Sequence, residues 1–126
     1  DEAAVDRRFQ AQQTADRRAF LIMLGERPVG EIILKRIDWE KRTCSLSIHM
    51  ANDSVKNRGY GTRAERLALR YAFNELDLLS VDADAVRKNR RSQHVLEKVG
   101  FRWVGEDDTF LYYRCEREGS HAGADH

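Results

Sequence analysis

The chain has 126 residues, of which 34% are charged and 41% hydrophobic, with a formal net charge of +1. That length holds one layered core and no second domain, and so even a charge balance gives no basis for a nucleic-acid or membrane partner; any anion binding must be local. No apolar run approaches the ~20 residues of a membrane span, and the acidic start is unlike a secretory signal, so a soluble cytoplasmic protein is expected.

Val5 and Phe9 fall four apart among the polar residues of Asp1–Gln13, which predicts a short helix with a narrow apolar face. The run Ala19–Leu24 predicts a strand, and Pro28 and Gly30 in the following ERPVG predict the hairpin turn. Glu31–Ile37 is rich in β-branched residues, DWEKRT is a polar turn, and Cys44–Met50 alternates Leu46, Ile48 and Met50 with Ser47 and His49. These three segments predict an antiparallel meander.

The period then changes. From Thr62 to Leu76, Ala64, Ala68, Tyr71 and Ala72 share one side while Arg66, Arg70 and Asn74 share the other, which predicts an amphipathic helix of about four turns. Ser80–Val86 alternates again. Asn89 can cap a second helix with Val95, Leu96 and Val99 facing inward, and Gly100 with Phe101 predicts its left-handed end. RWVGE and TFLYYRCE, split by Asp107 and Asp108, predict a closing hairpin. The domain is expected over 1–118, with 119–126 a disordered tail.

Cys44 and Cys115 each lie in an apolar strand-like run with no metal-ligand spacing, so two buried, reduced thiols and no metal are expected. The loop VKNRGYGTRAE carries more chemistry. Gly59 and Gly61 open a helix whose first N–H groups have no helical partner, and with Lys56, Arg58 and the Thr62 hydroxyl nearby they suit a phosphate or pyrophosphate. A strand-turn-helix junction also uses glycine for geometry alone. The Walker pattern fails, because Gly61-Thr62-Arg63 lacks its lysine, and the dinucleotide fingerprint fails, because the preceding strands look antiparallel.

Lys56-Asn57-Arg58-Gly59-Tyr60-Gly61 resembles the acetyl-CoA loop of the GNAT N-acetyltransferase superfamily, Arg/Gln-x-x-Gly-x-Gly/Ala, with lysine first. NRRSQHVLEKVGF, Asn89–Phe101, is similar to the family's Asn-x-x-Ser-x-x-x-Leu-Glu-Lys-x-Gly-Phe ending at a matching separation. The nearest branch is the Rim-type enzymes that acetylate protein α-amino groups, which also includes acetyltransferases of small amines. The resemblance implies a mixed, mostly antiparallel α/β sheet, splayed between strands 4 and 5 and flanked by helices, with the family's N-terminal strand and helix missing here.

It further implies that acetyl-CoA lies in the splay. The backbone of Ile48, His49 and Met50 would bond the pantetheine amides, and one N–H would act as oxyanion donor. The amides of Arg58, Gly59, Tyr60, Gly61 and Thr62 would hold the pyrophosphate, and Asn89 and Ser92 would face the cofactor. Acetyl transfer to a primary amine, a protein N-terminus or a small molecule, would then proceed by direct attack.

An amine that arrives protonated needs a base, and Cys44–Met50 holds no carboxylate, which leaves His49 as base candidate or surface histidine. The tyrosine that other branches use as acid is replaced by Leu96, so Ser92 is the acid candidate or a helix-capping residue. Asp82 and Asp84 alternate on one strand face, where they could attract a cationic amine or simply meet solvent. Of Tyr112 and Tyr113, one is expected in the core. Trp39 has no assignment. Competing readings are an acyl-CoA-binding module without turnover and a scaffold that self-associates through its hairpins; a sheet-edge homodimer is compatible with each.

Overall fold

The computed structural model describes residues 3–6, 14–51 and 59–118. Strands β1 (Ala3–Asp6), β2 (Arg18–Leu24), β3 (Arg27–Asp38), β4 (Thr43–Met50), β5 (Ser80–Val86), β6 (Arg102–Glu106) and β7 (Phe110–Glu116) form one sheet ordered β1-β2-β3-β4-β5-β7-β6. Helix α1 (Tyr60–Asn74) joins β4 to β5, and α2 (Arg90–Val99) joins β5 to β6. Only β4 and β5 run parallel, as the helical crossover between them requires; every other described pair is antiparallel.

The start of the chain corrects the sequence reading. Ala3–Asp6 form an edge strand paired with Leu21–Leu24 rather than a helix, so the outer side of β2, where the family's N-terminal strand was expected to be missing, does carry a strand. The rest of Asp1–Gln13, the loop residues Lys56 and Arg58, and the tail 119–126 lie outside the described residues. The first hairpin also turns earlier than expected. Its turn is Gly25–Glu26, with Gly25 at φ 66, and Pro28 and Gly30 belong to β3. Gly30 serves the sheet instead, because a Cβ there would meet the His49 carbonyl oxygen at 2.5 Å.

Alternation puts Phe20, Ile32, Leu34, Cys44, Leu46 and Val81 on one face, where α1 lays Ala64, Ala68 and Ala72 against them. These small side chains let the helix sit close to the sheet, and Tyr71 meets Phe20 edge to face with ring centres 5.1 Å apart. Cys44 and Cys115 are buried free thiols; burial pushes Cys44 up to about 12, so it stays an inert thiol. Tyr113 packs in this core while Tyr112 is exposed, as alternation along β7 dictates.

The turns have identifiable anchors. Asp38 Oδ1 accepts the N–H groups of Glu40 and Lys41 in the β3–β4 turn. Trp39 donates its indole N–H to the Ala15 carbonyl (2.9 Å), which ties that turn to the bridge between Thr14 and Arg17 and gives the residue a structural role. After α1 the chain takes a left-handed step at Asp77, φ 58. Its carboxylate is held by Arg117 (2.7 Å) and Arg42 (3.0 Å), and these contacts keep it below the usual carboxylate range.

Candidate functional site

Strands β4 and β5 pair only at Thr43–Ser80, Cys44–Val81 and Ser45–Asp82, and then diverge. From Leu46 to Met50 the edge of β4 facing β5 has no strand partner among the described residues. On its other edge β4 stays paired to β3 through Gly30–Met50, and Ala51 donates its N–H to Val29 at 2.7 Å. Antiparallel hydrogen bonding alternates, so if Ala51 bonds to β3, His49 does too, while the N–H and C=O of Ile48 and Met50 point into the divergence. An extended ligand could satisfy them as a strand would.

Helix α1 begins at the wide end of that gap. Gly59 caps it with φ 80, a left-handed value that favours glycine, and so supplies no side-chain capping bond to the first turn. The first helical hydrogen bond is donated by Arg63 to the Gly59 carbonyl (3.1 Å), so the N–H groups of Tyr60, Gly61 and Thr62 precede any helical acceptor. The helix also lacks acidic residues in that turn. The result is a cluster of outward donors backed by the positive end of the helix dipole. Gly61 is different from Gly59: it is not at positive φ, and a Cβ there would meet only Ile48 Cδ1 at 3.8 Å, so the fold itself does not demand glycine.

Helix α2 closes the other wall. Asn89 Oδ1 accepts the Ser92 N–H (3.0 Å), which starts the helix, and Gly100 at φ 114 ends it, with Phe101 donating to the Leu96 carbonyl (2.9 Å). The capping bond accounts for one role of Asn89 and leaves the Ser92 hydroxyl available.

Of the residues expected at the site, Ile48, His49, Met50, Gly61, Asn89 and Ser92 border a single cleft. Tyr60 is buried in the core, with only its amide at the helix start, and Thr62 is half-buried in the first turn. The His49 side chain is exposed. Asp82 and Asp84 line a depression with Lys35, Tyr112 and Arg114, and Asp82 is paired to Arg114 at 2.7 Å. Asp84 borders both this depression and the gap between the strands. Tyr112 is held by the Asp107 carboxylate.

Two charged cleft residues were missed from the sequence. Arg91, in the first turn of α2, puts a cation at the cleft mouth, and Glu65 lines the interior. Glu65 is 2% exposed, its Oε1 has no hydrogen-bond partner, and burial pushes its carboxyl up to about 8. Its signal was a charge set on the alanine face of α1, between Ala64 and Ala68.

The family model for the acetyltransferase (GNAT) domain matches residues 1–102. The chain belongs to the GNAT family. Among curated relatives, the probable N-acetyltransferase YjcK of Bacillus subtilis (strain 168) is 31% identical over 80 residues, 64% of this chain and 44% of that protein. The chain therefore spans less than half the length of that relative. Among solved structures, a variant of the spermidine N-acetyltransferase SpeG from Vibrio cholerae superposes with a TM-score of 0.77 at 17% identity, covering 89% of this chain and 72% of that one. The Vibrio cholerae spermidine N-acetyltransferase in complex with CoA and spermine gives 0.76 at 18%, covering 84% and 69%. At these identities the likeness establishes the GNAT fold.

Proposed function

We propose that this domain transfers the acetyl group of acetyl-CoA to a primary amine by direct attack. The observation that carries the reading is the early end of the β4–β5 ladder, which leaves a polar strand edge open beside a helix start whose first N–H groups precede any helical acceptor. The residues present fit such a ligand. Ile48 and Met50 offer backbone donors and acceptors to an amide-bearing arm, the amides of Gly59, Tyr60, Gly61 and Thr62 suit a pyrophosphate, and Arg91 supplies positive charge. Lys56 and Arg58 would extend that charge along the loop before α1. When bound, the thioester supplies an activated acetyl group.

The chain's own contribution is orientation and proton handling. A backbone N–H of Ile48 or Met50, fixed in the sheet, would polarise a carbonyl lying along the edge without reorganisation cost. Asn89 holds the first turn of α2 so that the Ser92 hydroxyl faces the cleft, where it would donate to the departing sulfur. His49 would take the amine's proton, directly or through water. The acceptor would enter beside Asp84, whose carboxylate favours a cationic amine. The superposed Vibrio cholerae structures are of a spermidine N-acetyltransferase, whereas the loop and helix motifs resemble the Rim-type branch that uses protein N-termini. Both acceptor classes belong in the test.

Calorimetric titration with acetyl-CoA tests the cleft. Gly61→Asp should weaken binding at least tenfold, because the fold has room for its Cβ and the new carboxylate would repel a pyrophosphate. An amine panel of polyamines and N-terminal peptides, followed by release of free CoA thiol, then tests turnover. No binding by the folded parent contradicts the proposal. A second reading, an acyl-CoA-binding module without turnover, is favoured by two observations: β4 carries no carboxylate, and the position of the family's tyrosine is the buried Leu96. Binding without thiol release by any amine would support it.

A further inference from the structure

Glu65 is the one charged side chain in the buried core among the described residues. It projects from the second turn of α1 and borders the cleft on both sides of the strand divergence, with Ile48 and Ser92 across from it. A buried carboxyl needs a partner, and Oε1 has none. The titratable or charged groups that share these linings are His49 on β4, Asp84 on β5 and Arg91 on α2, and none bonds that oxygen. A neutral carboxyl offers one O–H donor and remaining acceptor capacity, which suits a polar ligand arm that itself carries amide groups.

We propose that Glu65 is a ligand contact that works as the protonated acid, donating its O–H to a carbonyl of the amide-bearing arm of the bound acyl thioester, so that binding draws a proton onto the protein. The inference rests on the cleft being an acetyl-CoA site. It makes Glu65 a gauge of pH for cofactor affinity: covering the carboxyl removes it further from water and favours the neutral form still more. Above the value of about 8 that burial imposes on the free protein, binding must first reprotonate the group, and affinity should fall by up to roughly tenfold per pH unit.

The test is calorimetry with acetyl-CoA at pH 7, 8 and 9 in buffers of differing ionisation enthalpy, which counts protons taken up. Acetyl-CoA is used because its sulfur is acylated and cannot titrate. The parent should take up little at pH 7 and approach one proton at pH 9, with affinity falling in step. Glu65→Gln, which keeps a donor but cannot titrate, should bind with a flat profile and no uptake; Glu65→Leu should bind about tenfold more weakly at pH 7, also with a flat profile. His49→Gln should retain the uptake. Binding by the parent without proton uptake, or uptake that survives Glu65→Gln, overturns the inference while leaving the cofactor site standing. Failure of the parent to bind at any pH overturns the functional reading, and this inference with it.

Discussion

A carboxyl such as Glu65 affects stability as well as binding. Its folded value of about 8 lies above the 4.5 of a free glutamate, so between those values the native state holds a proton that the unfolded chain has released. Stability therefore falls as pH rises through that window, by roughly 5 kcal/mol once the whole span is crossed. Urea unfolding at pH 5 and pH 8 should show this loss in the parent and a much flatter response in Glu65→Gln; equal slopes would contradict the burial argument. Asn89 provides a second residue-scale check, since Asn89→Ala removes the bond from the Ser92 N–H and should cost about 1 kcal/mol, while Asn89→Ser retains most of it. The cap was legible in the sequence because it depends on four adjacent residues. The isolation of Glu65 was not, because which carboxyl loses its water depends on strands more than ten residues away.

The elements that the sequence placed well are those whose signals are local and redundant. Helix α2 has a capping asparagine, an apolar face and a glycine end, and it runs over Arg90–Val99 between them. The first hairpin shows the opposite case. Pro28 and Gly30 look like turn residues, yet Gly30 is required by the closeness of the His49 carbonyl on the next strand, a contact that no local rule contains. Gly30→Ala should therefore force β3 and β4 apart and cost about 2 kcal/mol in thermal or urea unfolding. A change below about 0.5 kcal/mol would mean that the strands yield freely. Ala3–Asp6 were misread because the spacing of Val5 and Phe9 mimics a helix, whereas pairing with β2 decides their conformation.

At the scale of the whole molecule, a sheet that divides at its centre depends on one helix layer to hold the halves together. Leu34, Leu78 and Val81 are fully buried in that layer's core. Leu78→Ala, just after α1, should cost ~3 kcal/mol and weaken acetyl-CoA binding in proportion to the unfolded fraction only. A loss of affinity in the fully folded variant would show that the cleft's shape depends on this packing. The divergence itself was not readable from periodicity, because β4 and β5 look like ordinary strands; it entered through the resemblance of two motifs to the GNAT pattern, and the pairing of β4 with β5 stops at Ser45–Asp82.

The most direct measurement is an amide proton–nitrogen NMR spectrum of the labelled domain with and without acetyl-CoA. The account predicts saturable shifts of Ile48, Met50, Gly59, Tyr60, Gly61, Thr62 and Ser92, with His49 less affected because its backbone bonds to β3, and no change at Trp103 on the far edge. Shifts centred elsewhere, or none in a folded protein, would contradict it.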